Sequence, residues 1–387
     1  MTHGLTLTES ASTTRSIKTT SMAYVGLVAT ASAEAGAATA ALDAAFPLNT
    51  PVLVTDIDAA AGQAGTGGTL AGALKAIAAI TTPIVVVVRV PIGATEAETQ
   101  TNVIGGKVGG AYTGLQALLS AETVLGVRPR ILGAPGLDTQ DVVEALVTVA
   151  KRLRGRVYAR AIGESVAEVQ AYRASFAQRE LTLIWPDSSA MVAGDAVARA
   201  LGLRAYIDES VGWHKTLSNV ALTGVTGITH DVHFDLLDAS TDAGLLNDHD
   251  IVTIIRTSAG FVFWGNTTCA GADQSAYAFE STVRTLHALQ DIIAVTAQPY
   301  MDQPMTTGLI KDLIEDINEQ YATLTKKGWV MGAEMFFDED SNTPAQLAAG
   351  RPTFRIEYTP VAPLQNPTVK LNLTDYYYTG FATAVNA

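Results

Sequence analysis

The chain has 387 residues, enough for two or three domains, with 48% hydrophobic and only 16% charged residues, a lean polar complement for a chain exposed on all sides. A formal net charge of -13 and a pI near 4.9 exclude a primary nucleic-acid binder, because phosphate neutralisation needs clustered Lys and Arg. The single cysteine, Cys269, rules out an intrachain disulfide and reads as a small core residue.

Residues 1–20 open with Leu5 and Leu7 alternating against Thr6 and Thr8, followed by a Ser, Thr and Glu run. Such a lone terminal strand is stable only within a sheet, so the segment reads as an arm. Arg15, Lys18 and the apolar Met22 to Ala29 imitate a signal peptide. Glu9 and the length of the basic region argue against one, and Ala23 to Val28 reads better as a short buried strand. No apolar run approaches the ~20 residues of a bilayer span, so no membrane insertion is expected.

From Ser21 to about Asp250, strands alternate with helices. Val52 to Thr55, Ile84 to Val90, Pro129 to Gly133, Arg156 to Ile162 and Leu181 to Trp185 are nearly continuous apolar runs, the pattern of strands covered on both faces. Residues 139–153 place Val142, Leu146, Val149 and Leu153 on one helical face, with Asp138 or Thr139 as the N-cap. Residues 164–177 repeat the design with Val166, Val169, Tyr172 and Phe176. This alternation specifies an α/β fold.

Chemical motifs fail on spacing. Gly105 to Gly110 contains Lys107 but has Val108 where a phosphate loop needs a hydroxyl, and Gly65 to Gly68 lacks the third glycine of a dinucleotide site. His230, Asp231, His233, Asp235, Asp238, Asp242 and His249 match no zinc or calcium pattern and read as a solvated acidic loop. Ser258 lacks the first glycine of a nucleophile elbow. Trp213-His214 reads as a packing corner. No catalytic, cofactor or metal residue is assigned.

Ile251 to Thr257 and Phe261 to Trp264, joined through Ser258 to Gly260, read as a buried hairpin. Asp273 to Ala297 and Thr306 to Lys327 carry apolar residues at helical spacing and are separated by Pro299 and Pro304. They are expected to pack on that hairpin and on a strand at Thr353 to Tyr358. Pro360, Pro363 and Pro367 stiffen a linker that delivers a last strand, in which Val369, Leu371 and Leu373 alternate with polar residues.

Three stretches together resemble the contractile tail sheath proteins of long-tailed phages and R-type bacteriocins. They are Phe46 to Val54, Gly212 to Asn219, and the hairpin followed by Gly265-Asn266-Thr267-Thr268-Cys269. The resemblance covers nearly the whole chain. It implies an outer α/β domain (21–250) and an inner α+β core domain (251–360), completed by strand arms at 1–20 and 361–387. It further implies a helical homo-oligomer around an inner tail tube, with baseplate and tail terminator proteins as partners and no nucleotide. Assembly is expected in the host bacterial cytoplasm, before incorporation into a virion tail or a released particle. Leu5, Leu7, Val369, Leu371 and Leu373 are the expected intersubunit arm residues, and Lys311, Lys326 and Lys327 the expected tube-facing ones. The alternative from the residues alone is an α/β enzyme with an unrecognised small-molecule site.

Overall fold

A computed structural model describes residues 21–189 and 191–386. In chain order the strands are β1 (Val25–Ser32), β2 (Pro51–Val54), β3 (Gly67–Gly68), β4 (Val85–Val90), β5 (Lys107–Val108), β6 (Ala111–Tyr112) and β7 (Ile131–Gly133). They continue with β8 (Arg156–Arg160), β9 (Leu181–Ile184), β10 (Ile251–Thr257), β11 (Gly260–Trp264), β12 (Val330–Phe337) and β13 (Phe354–Pro360). One large sheet runs β11-β10-β9-β8-β7-β1-β4-β2, with β3 paired to β1. It is parallel from β10 to β4 and has antiparallel strands at both ends.

Both faces of this sheet are covered, which is why its strands read as nearly continuous apolar runs. Val85 and Val87 enter one core with Leu27, Leu74 and Leu201, while Val86, Val88 and Val90 enter the other with Val28, Leu118 and Leu146. Helices Leu70–Ala78 and Asp195–Ser210 cover the first face. Gln140–Leu153 and Val166–Arg173 cover the second. At Gly202 the 195–210 helix comes so near its neighbour that an added Cβ would lie 3.1 Å from the Ile77 carbonyl oxygen.

The hairpin β10-β11 does not open a separate core. Ile251 and Val252 pair in parallel with Leu183 and Ile184, so the sheet crosses residue 250 without a break. Phe263 and Ile254 join the first core. The two long helices, Glu280–Ala297 and Thr307–Lys326, pack instead on a two-stranded antiparallel sheet, β12-β13. Leu289, Leu313, Ile317, Tyr321, Val330 and Met335 form that core, and Met22 and Trp213 reach into it from the larger body.

Other expectations shift locally. The first long helix does not begin at 273: residues Ala272–Tyr277 form a 3-10 turn and Phe279 becomes the N-cap. Thr267 bridges Phe279, Thr268 N donates to the Ala278 carbonyl (2.7 Å) and Glu280 N to the Asn266 carbonyl (3.0 Å), so these amide and carbonyl groups are spent on a cross-chain bridge rather than on a helical turn. Thr139 is the N-cap of the 140–153 helix but makes no capping bond, since its hydroxyl donates to Gln100 (3.0 Å). Asp138 turns away to accept from Arg160 N and Nε, both at 2.7 Å.

Candidate functional site: a buried charged joint and an unpaired tail

The 280–297 helix runs beneath the amino-terminal ends of β1, β7 and β8, fixed by charges that are buried except for a partly exposed Arg154. Arg204 and Asp208, one turn apart on the 195–210 helix, pair at 2.8 Å. Arg204 also reaches Glu280 Oε1 at 3.2 Å and donates to the Lys215 carbonyl at 2.6 Å. Tyr158 of β8 donates its hydroxyl to the same Glu280 oxygen. One turn on, Arg284 pairs with Asp208 and donates to the Met22 carbonyl at 3.0 Å. Further along, Asp291 takes Arg130 and, at 2.7 Å, Arg154 Nε.

Burial alone works to raise the Glu280 carboxyl, but Arg204 and Arg156 overcome it and hold the pKa below the ordinary value. For Arg204, burial opposes the charge and Asp208 and Glu280 outweigh it, so the guanidinium is held above its usual value. His287 is pushed down to about 3 by burial and then by Arg284 and Arg130, which keeps it neutral. Buried ion pairs of this kind add little net stability over an apolar core, but removing one member leaves the other's charge under-compensated. Their effect is to fix the angle between the helix pair and the sheet.

These residues carried a faint signal in the sequence. Arg204 interrupts Ala, Leu and Gly on a helix whose other buried positions, Asp195 at its start apart, are small or apolar, and Asp208 follows at the spacing of a helical ion pair. Neither belongs to a motif, so the sequence alone does not single them out.

At the opposite, carboxyl ends of the strands lies the place where an open α/β sheet usually takes a ligand, the point of order reversal between β1 and β7. Here the chain fills it. A Cβ on Gly194 (φ +80°) would lie 2.2 Å from Gly136 N, and Gly194 N and Ala196 N donate to Asp187 at 2.6 and 2.8 Å.

The acidic loop serves turns. Asp242 accepts from His233 N (3.0 Å), Asp238 from Ser240 N (2.8 Å), and His230 Nε2 meets Glu164 at 3.1 Å. Among the described residues no group of three or more His, Cys, Asp or Glu is placed to hold a metal. Trp213 stands edge-on to Trp329 at 4.5 Å between ring centroids. Cys269 is buried, and burial pushes its thiol up to about 12.

Of the expected arm residues, Leu5 and Leu7 lie outside the described residues. Val369, Leu371 and Leu373 are 76%, 93% and 105% exposed, and residues 361–375 pair with no strand among the described residues. Lys311 and Lys326 are exposed at opposite ends of the 307–326 helix, and Lys327 follows over the Trp329 ring at 5.4 Å. The three do not form one patch, because exposed Asp312, Glu315 and Glu319 lie between them.

Comparison with known proteins agrees with this geometry. Residues 110–269 match the phage tail sheath protein central domain, and residues 272–374 match the phage tail sheath C-terminal domain. The tail sheath protein of Escherichia phage P2 is 44% identical over 400 residues, covering 100% of this chain and 98% of that protein. The major tail sheath protein of Serratia phage KSP20 is 42% identical, covering 97% and 96%. Among solved structures, the helical sheath of the anti-feeding prophage in its contracted state superposes with a TM-score of 0.69 at 16% identity, over 97% of this chain and 99% of that one. The chain therefore belongs to the phage tail sheath protein family: it is a structural subunit of a contractile injection system, not an enzyme.

Proposed function

We propose that copies of this chain polymerise helically around an inner tail tube and contract to drive the tube through a cell envelope. In this arrangement the β12-β13 unit with its helix pair faces the tube, together with residues 1–20 and 361–387, and the large α/β body lies outside. The body then spans 21–269, taking in the hairpin that continues its sheet. A baseplate protein starts contraction and a terminator protein ends the sheath. Similar solved structures are a contracted helical sheath and a baseplate of the anti-feeding prophage. Assembly takes place in the host bacterial cytoplasm, before the subunit becomes part of a tail or a released particle.

The observation that carries the reading is the unmatched tail. Val369, Leu371 and Leu373 stand in solvent, while β12 and β13 each keep one edge without a strand among the described residues. An exposed edge and an apolar strand that lacks a sheet are complementary. Roughly four backbone hydrogen bonds at about 1 kcal/mol each would then link neighbouring copies, and linkers on either side would absorb rotation during contraction. The energy of contraction resides in subunit packing, with the extended sheath held as a metastable state.

The proposed tube contact runs through Lys311, Lys326 and Lys327, as two positive ends flanking an acidic middle. Negative-stain imaging of the purified full-length chain tests the assembly reading. Tubes or stacked rings are expected, and a discrete small oligomer at all concentrations would refute it.

A further inference from the structure

A cavity of about 250 Å³ lies where the 195–210 helix ends against the two long helices. Met22, Trp213, Ile292, Val295, Leu324 and Trp329 supply its apolar wall, and Glu209 and Gln320 also line it. Trp213 is only 5% exposed, yet its Nε1 has no hydrogen-bond partner among the described residues. A buried donor left in this way is costly, and a donor without a partner on a residue that lines a cavity marks a place for a ligand that accepts. A cavity of about 150 Å³ already admits benzene, so this one has room for a single aromatic side chain.

The chain itself carries the fitting group. Tyr376, Tyr377 and Tyr378 follow directly on the unpaired apolar segment and are 71%, 85% and 73% exposed. A phenol combines an apolar ring with a hydroxyl that both accepts and donates, as Trp213 Nε1 and a neighbouring carboxylate require. Within one chain the tail stands clear of its own body, with Val369, Leu371, Leu373 and Phe381 between 61% and 105% exposed, so among the described residues the tail does not fill the cavity in cis.

We propose that one tyrosine of the Tyr376–Tyr378 run of a second copy docks in this cavity, its oxygen accepting from Trp213 Nε1 and donating to Glu209. This rests on the strand-exchange reading above and deepens it. Backbone pairing alone leaves a strand free to slip in register, whereas a side chain seated in a pocket fixes where it stops. The docked ring thus serves as the register lock of the exchanged tail.

A synthetic peptide of residues 371–387 titrated into the dilute full-length chain, with tryptophan emission as the readout, tests this. Saturable binding is expected, weakened about tenfold when Phe replaces all three tyrosines of the peptide and similarly in Trp213→Phe protein. The peptide substitution leaves the protein's folding untouched. Absence of saturable binding, or equal affinity for the phenylalanine peptide, overturns the docking. Tubes formed by the same full-length preparation would in that case leave strand exchange standing, whereas absence of tubes would defeat the assembly reading itself.

Discussion

Arg284 of the 280–297 helix pairs with Asp208 of the 195–210 helix at side-chain exposures of 0% and 1%, so the helix pair is joined to the sheet by charge rather than by fatty contact alone. Arg284→Met removes one of the two cations on Asp208 and leaves its buried carboxylate to Arg204 alone. A loss of about 3 kcal/mol is expected from breaking such a pair. Urea unfolding followed by circular dichroism checks it, and an unchanged midpoint would show that the pairing does not order the joint.

The neutral His287 gives the joint an acid sensitivity with a defined sign. Its pKa is lowered in the fold from 6.5 to about 3 by burial, with Arg284, Arg130, Arg156 and Arg179 adding to the shift. Between pH 6.5 and 3 the unfolded chain therefore binds a proton that the folded chain refuses. Stability is full above pH 6.5 and falls as pH drops through this window, by about 2 kcal/mol at pH 5. His287→Gln should flatten the fall in urea midpoint between pH 7 and pH 5, and an identical slope in the variant would contradict the assignment.

Close helix contact at Gly202 predicts a steric penalty. Gly202→Val places methyl groups against the Ile77 backbone and should cost about 2 kcal/mol or more through overpacking. At Gly227 nothing lies within 4 Å of an added Cβ, so Gly227→Ala is the matched control and should melt close to the parent. Equal melting of the two variants would deny the contact.

What the sequence made legible follows from burial symmetry. Val85 to Val90 and Leu181 to Ile184 read correctly as strands because both of their faces are buried, which leaves only Arg89 and Thr182 to interrupt the apolar runs. The 195–210 helix was silent for a related reason. It is buried on most sides, including charged Arg204, and so shows no one-sided apolar stripe. Strand β12 was missed because its exposed Met331 and Glu334 alternate poorly with buried Val330 and Met335, and a bulge between Val330 and Gly332 breaks the period. Pairing of Ile251 and Val252 with β9 is a long-range choice that no local pattern announces. The joint needed the fold, since Arg130, Tyr158, Asp208 and Glu280 come from four separate segments.

Charge reversal at Lys311, Lys326 and Lys327 tests the proposed tube contact. Exposed pairs are each worth about 0–1 kcal/mol and are screened by salt, so single Lys→Glu changes should have small effects. The triple change should reduce co-sedimentation of sheath with tube, most at low ionic strength, while self-assembly persists. Equal loss of both would indicate a folding defect.

Exchange of the terminal strand is the central claim, and deletion of residues 368–387 tests it most directly. Their large apolar side chains are exposed in the single chain, so the truncated protein should keep its circular dichroism spectrum and melting temperature while forming no tubes under negative stain. Tubes of normal length that contract normally from this truncation would contradict the account.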